Sequence, residues 1–124
     1  MSLSQAVVLI DHHAAHIQHL ADARIEAVKE HRHETRQHAS GVRSEHDFFR
    51  DVCDALAASS EVLVLGSHTA QADFRRYVDK HRPGLAKHLV GWETVDQPTP
   101  AQALASARVF FEKFDRMAGR PHVQ

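Results

Sequence analysis

Twelve of the 124 residues are histidine, and four of them are crowded together. His12, His13, His16 and His19 fall within eight residues, beside Asp11. On a helix, His12, His16 and His19 would share a face, and the i, i+4 spacing of the first two could hold zinc. In a strand hairpin, His16 would point away from Ile17 and His19, and the set would not converge. The chain contains neither HExxH nor CxxC, so the three or four ligands of a specific zinc site are not spelled out locally. The plain alternative is a row of exposed histidines on an edge strand and turn.

A second group, His31, His33 and His38, lies in the polar stretch Arg32–Ser44, which has no apolar period and is expected to be a mobile loop. Flexible histidine-rich segments take up metal weakly without function. The same stretch carries Arg32, Arg36 and Arg43. Together with the histidines, which charge below about pH 6.5, these arginines could contact phosphate groups. A solvated loop is the alternative.

The third candidate is the turn Gly66-Ser67-His68-Thr69. It follows the apolar run Val62-Leu63-Val64-Leu65 and precedes a helical pattern, Ala70, Phe74, Tyr77 and Val78. Free backbone N–H groups at such a strand end favour anions. The chain offers only one glycine there, with neither GxGxxG nor a phosphate-loop lysine, so Ser67 fits better as a helix cap. Catalytic readings are thin. Cys53 sits on the apolar side of a helical pattern, as a small buried hydrophobe. Ser67 and His68 are adjacent on a turn and lack an orienting carboxylate. Asp11, Glu93 and Asp96 could line the same strand ends, Glu93 with a raised pKa if buried beside Trp92.

These residues need a scaffold. Hydrophobic residues make up 43% and charged residues 25%, with a formal net charge of -1. That balance fits one soluble domain with no overall pull toward nucleic acid or membrane. The single cysteine forbids an internal disulfide and suits a reducing cytoplasm. No apolar run approaches the ~20 residues of a membrane span, and MSLSQAVVLI lacks the basic start of a signal peptide.

Ala6–Asp11 reads as a strand inside a sheet. His12–Arg32 fits either a helix or two strands turning at Ala21-Asp22. Ser44, with Asp47 three residues on, predicts a helix start, followed by the stripe Phe48, Phe49, Val52, Cys53 and Leu56. The strand at Val62 and its helix come next, stopped by His81-Arg82-Pro83-Gly84, and Gly84–His88 has room for a short helical turn. Leu89–Val95 is the last strand. Thr99-Pro100-Ala101-Gln102 is the clearest helix start. Its helix has a core face of Leu104, Ala107, Phe111 and Phe114, widened by Ala103, Phe110 and Met117. The last two strands should be parallel with a right-handed crossover.

Three strings, in this order and spacing, resemble the third domain of the archaeo-eukaryotic peptide-chain release factor family, which includes Pelota-type ribosome rescue factors and bacterial relatives. They are AVVLIDHHAAHIQHL, VLVLGSHTAQADFRRYVDKHRPGLAKHLVG and GWETVDQPTPAQALASARVFFEKF. The resemblance settles the ambiguous stretch as a hairpin. It implies an α/β three-layer sandwich with a central mixed sheet, in the order β-β-β-α-β-α-β-α, a fold shared with kink-turn-binding ribosomal proteins. It also implies docking to the ribosome, where the Arg32–Ser44 loop could contact ribosomal RNA, or to a translation factor such as a translational GTPase. The Gly-Gly-Gln tripeptide that serves peptidyl-tRNA hydrolysis in that family is missing, since the chain has no Gly-Gly pair. The expectation is therefore a non-catalytic, cofactor-free binding module. Its contact residues would be Gly66, Ser67, His68, Thr69, Arg32, Arg36 and Arg43. The alternatives are a histidine-based metal protein or small enzyme, and a homo-oligomeric structural protein.

Overall fold

The element order is β1 (Gln5–Ile10), β2 (Ala14–His19), β3 (Ile25–Lys29), α1 (Gly41–Leu56), β4 (Glu61–Gly66), α2 (His68–His81), α3 (Pro83–Ala86), β5 (Leu89–Thr94) and α4 (Pro100–Met117). The computed structural model describes residues 4–22, 24–29, 41–96 and 98–119, with the backbone alone at 29 and 41–45. The five strands form one sheet in the order β3-β2-β1-β4-β5. The β1–β2 and β2–β3 pairs are antiparallel, and β1–β4 and β4–β5 are parallel. The two continuous apolar runs became the central neighbours β1 and β4, because only a strand covered on both faces can bury every side chain. All six residues of β4 are buried.

Alternation sorts the strand residues into two cores. Val8, Ile10, Ile17, Val62 and Val64 meet Phe48, Phe49 and Val52 of α1 and Phe74 and Val78 of α2. On the opposite face, Val7, Leu63 and Leu65 meet Ala103, Ala107 and Phe111 of α4. Phe49 and Phe74 join α1 to α2 edge-to-face at 5.4 Å, a contact worth about 1 kcal/mol beyond area burial. The result is the expected α/β sandwich with a central mixed sheet.

Two sheet glutamines pin α4 at its ends. Gln18 Nε2 donates to Pro100 O at 2.7 Å. Gln5 Nε2 donates to Glu61 Oε1 at 3.0 Å and to Asp115 Oδ1 at 3.1 Å. Thr99 starts the helix with the reciprocal cap its sequence promised: Gln102 N donates to Thr99 Oγ1 at 3.1 Å and Thr99 N to Gln102 Oε1 at 2.8 Å.

Four sequence expectations need correction. The segment 41–44 is helical, so the expected loop is shorter at its C-terminal end and Ser44 lies inside the first turn of α1. Gly41 and Val42 are weak helix formers, which made Ser44 the better cue. Gly66 belongs to β4 and His68 and Thr69 to α2, so the turn expected at Gly66–Thr69 narrows to Ser67 between the two elements. Pro83–Ala86 makes a separate helical turn with Pro83 at its first position, slightly ahead of the place expected for one. Met117 is 88% exposed, because the buried stripe of α4 runs through Ala103, Ala107, Phe111 and Asp115 and Met117 falls on another face.

Candidate functional site

The parallel strands β1, β4 and β5 end together on one side of the sheet, and two turns stand there. The first is the β1–β2 connection. Asp11 Oδ1 accepts from His13 N and from Ala14 N, both at 2.7 Å, so this carboxylate organises its own turn. The turn sends His12 toward α2, where its Nε2 lies 3.4 Å from Asp73 Oδ2. Asp73 also takes Arg76 Nη1 at 3.1 Å.

The second turn is Gly66–Thr69. Gly66 pairs with Ile10, and a Cβ at Gly66 would stand 2.3 Å from Ile10 O. Glycine is therefore required for the close approach of two strand ends. Ser67 Oγ accepts from Ala70 N at 3.2 Å and caps α2. The hydroxyl thus occupies one of the N–H groups an anion would use. Ser67, His68 and Thr69 are all exposed, as are Asp11, His13 and Asp96. Beneath them, buried Gln71 donates through Nε2 to Gly66 O at 2.9 Å and to Glu93 O. Val95 N also donates to Gly66 O, at 2.9 Å. One amide thus holds the ends of β4 and β5 together, a residue that sequence reasoning missed. Its signal was present: Gln71, Phe74 and Val78 share one helical stripe, so this glutamine had to point inward.

The histidines disperse. His12 stands at the strand ends, while His19 Nε2 is 2.8 Å from Glu26 Oε1 near the far end of β2. His16 pairs with Leu9 and Ala27 on the sheet face opposite to Ile17. His12, His16 and His19 therefore cannot share an ion, and no three His, Cys, Asp or Glu side chains among the described residues could hold one. This overturns the helical zinc reading, because a turn and an extended strand, whose side chains alternate between faces, spread what one helix would align. Arg32, Arg36, His31, His33 and His38 lie outside the described residues. Arg43 belongs to α1 and not to a loop.

Nor do the nucleophile candidates assemble. Cys53 is fully buried, and burial pushes its thiol up to about 12, against an opposing pull from Arg82. Glu93 is exposed beside half-buried Trp92. No helix among the described residues is long and apolar enough to cross a membrane. The geometry is that of a rigid, polar rim on a fixed strand end, suited to contact.

No family model matches the chain, and no curated protein matches it. Solved structures do. The Pelota protein of Archaeoglobus fulgidus is similar at a TM-score of 0.62 and 18% identity, over 94% of this chain and 33% of that one. The Pelota protein of Thermoplasma acidophilum follows at 0.55 and 19%, over 90% and 32%. The archaeal translation termination factor aRF1 is similar at 0.52 and 21%, over 89% and 34%. At these identities the likeness is one of fold, and this chain spans about a third of the length of each of these proteins.

Proposed function

We propose that this chain is a non-catalytic binding module of translation, docking to the ribosome or to a translation or rescue factor through the Gly66–Thr69 edge. The observation that carries the reading is the fold: 94% of the chain superposes on part of a Pelota protein, and the expectation drawn from three sequence strings led to the same fold independently. The state of the nucleophiles supports a role in binding. Ser67 spends its hydroxyl on a helix cap and Cys53 is sealed in the core. The exposed Ser67-His68-Thr69 rim stands on backbone locked by Gln71, so it can meet a partner without paying ordering entropy.

Sedimentation with purified ribosomes across a salt series tests this. The chain should pellet with ribosomes at low salt and be released as salt rises. A His68→Glu, Thr69→Glu double variant should weaken the association at every salt concentration, since both residues are exposed and the fold does not need them. No association at low salt, for ribosomes alone or with translation factors added, would reject the proposal.

A further inference from the structure

The sheet ends at β5 among the described residues, and α4, packed on the face over β1 and β4, reaches that strand through Phe110 at Gly91. Between them lies a groove of about 380 Å³, lined by Glu93 from the strand and by Ala105, Ser106, Val109, Phe110 and Lys113 from the helix. Residues 106, 109, 110 and 113 follow helical spacing, one stripe over from the buried Ala103, Ala107 and Phe111. Val109 is 57% exposed although it is a large aliphatic residue. Gly91 makes the groove floor low: a Cβ there would lie 2.5 Å from Phe110 Cζ and 2.9 Å from Leu63 Cδ1. The Phe110 ring therefore rests on strand backbone. On the other face of β5, Arg75 Cζ sits 5.3 Å from the Trp92 ring centre and covers that side.

The strand beside the groove, β5, is an end strand of the sheet among the described residues, and this decides the chemistry of the occupant. An edge presents backbone N–H and C=O groups in alternation, and only another extended backbone answers them along its length. The charges set the flanks. Phe110 lies on Gly91, so Lys113, about one turn further along α4, stands toward the start of β5, and Glu93 toward its end. Neither takes part in an ion pair among the described residues.

We propose that this groove receives an extended segment of a partner protein as a sixth strand. An apolar side chain of the segment seats against Val109 and Phe110, an acidic residue faces Lys113 and a basic residue faces Glu93. The surface adjoins the Gly66–Thr69 edge at Glu93 but extends from it along α4, and the inference holds whether or not the chain meets the ribosome.

A phage-displayed library of random linear peptides, panned on the purified chain, supplies the probe. Enriched peptides should share an apolar residue with acidic and basic neighbours on opposite sides. Synthesised and titrated by fluorescence polarisation, they should lose about tenfold in affinity to Val109→Asp and to Lys113→Glu. Both residues are exposed, so thermal melts should show folded variants. N-methylation of the peptide should abolish binding at every second position and be tolerated between them, because only alternate N–H groups face the edge. Three results would overturn the inference: no enriched sequence, binding indifferent to both substitutions, or an N-methyl scan without alternation. Sedimentation equilibrium showing a dimer that Val109→Asp dissociates would also overturn it, by assigning the edge to a second copy.

Discussion

Gly66→Ala should be among the most damaging single-methyl additions to this protein. The new Cβ would sit 2.3 Å from Ile10 O and 3.2 Å from Ile10 Cγ2. Real Cβ atoms essentially never come within 3.0 Å, so the strand ends must part by about 0.7 Å. The obstructing atom is a main-chain carbonyl inside a ladder, so no rotamer change relieves the contact. Parting β1 from β4 by that amount stretches a ladder bond of about 2.9 Å to about 3.6 Å, beyond hydrogen-bonding range. One or two lost bonds at about 1 kcal/mol each, with the overpacking strain, give a cost of about 3 kcal/mol. Urea unfolding followed by circular dichroism should show the midpoint falling by about 1–3 M, for a slope in the usual range for small domains. Gly84→Ala is the control, because nothing lies within 4 Å of a Cβ there, and it should be neutral or stabilising by up to about 1 kcal/mol. If Gly66→Ala costs less than about 0.5 kcal/mol, the steric account of this glycine is wrong.

Gln71→Leu leaves Gly66 O and Glu93 O without the amide that now serves both. It should cost about 1–3 kcal/mol and speed amide exchange at the β4–β5 end, read by hydrogen exchange. Thr99→Ala removes one arm of the capping box on α4 and should lower stability by about 1 kcal/mol, measured by the same urea titration. Cys53 should resist thiol reagents in the native state, since burial holds its pKa near 12. The unfolded thiol ionises earlier, so above about pH 9 the native state binds more protons and stability falls as pH rises, by about 1.4 kcal/mol per pH unit. Cys53→Ala should flatten that decline relative to the parent.

Much of the scaffold could be read from the chain because its cues are local. AVVLI and VLVLG are short, β-branched and apolar throughout, and both became strands buried at the sheet centre. Thr99, Pro100 and Gln102 state a helix start within four residues. Four of the five stripe residues assigned to α1 lie with Phe74 in one core cluster as large buried side chains, and Cys53 joins them. The site was harder, because its determinants are distant in sequence. Gln71 acts on Glu93, 22 residues away, and Gly66 is fixed by a carbonyl on another strand. The histidines misled for the same reason: spacing along one helix is readable, but the face each takes in a hairpin depends on register. The displaced pairing between Val62 and Leu63 of β4 and their β5 partners, which places Gly91 opposite Leu63, left no mark that composition or periodicity could show.

The sheet order carries a kinetic consequence. β1 reaches β2 across a short turn, but Gln5 meets Glu61 of β4 over a separation of 56 residues. The β1–β2–β3 meander can therefore assemble from local contacts, while the central parallel pair waits on closure of a long loop, the slow class of event in small-domain folding. The entropy of that closure grows only logarithmically, and doubling the connection would cost about 0.6 kcal/mol. A longer connection between β1 and β4 would therefore take little from equilibrium stability. If β1 and β4 join after the rate-limiting barrier, Gly66→Ala will mainly accelerate unfolding in stopped-flow experiments and leave the refolding rate near that of the parent.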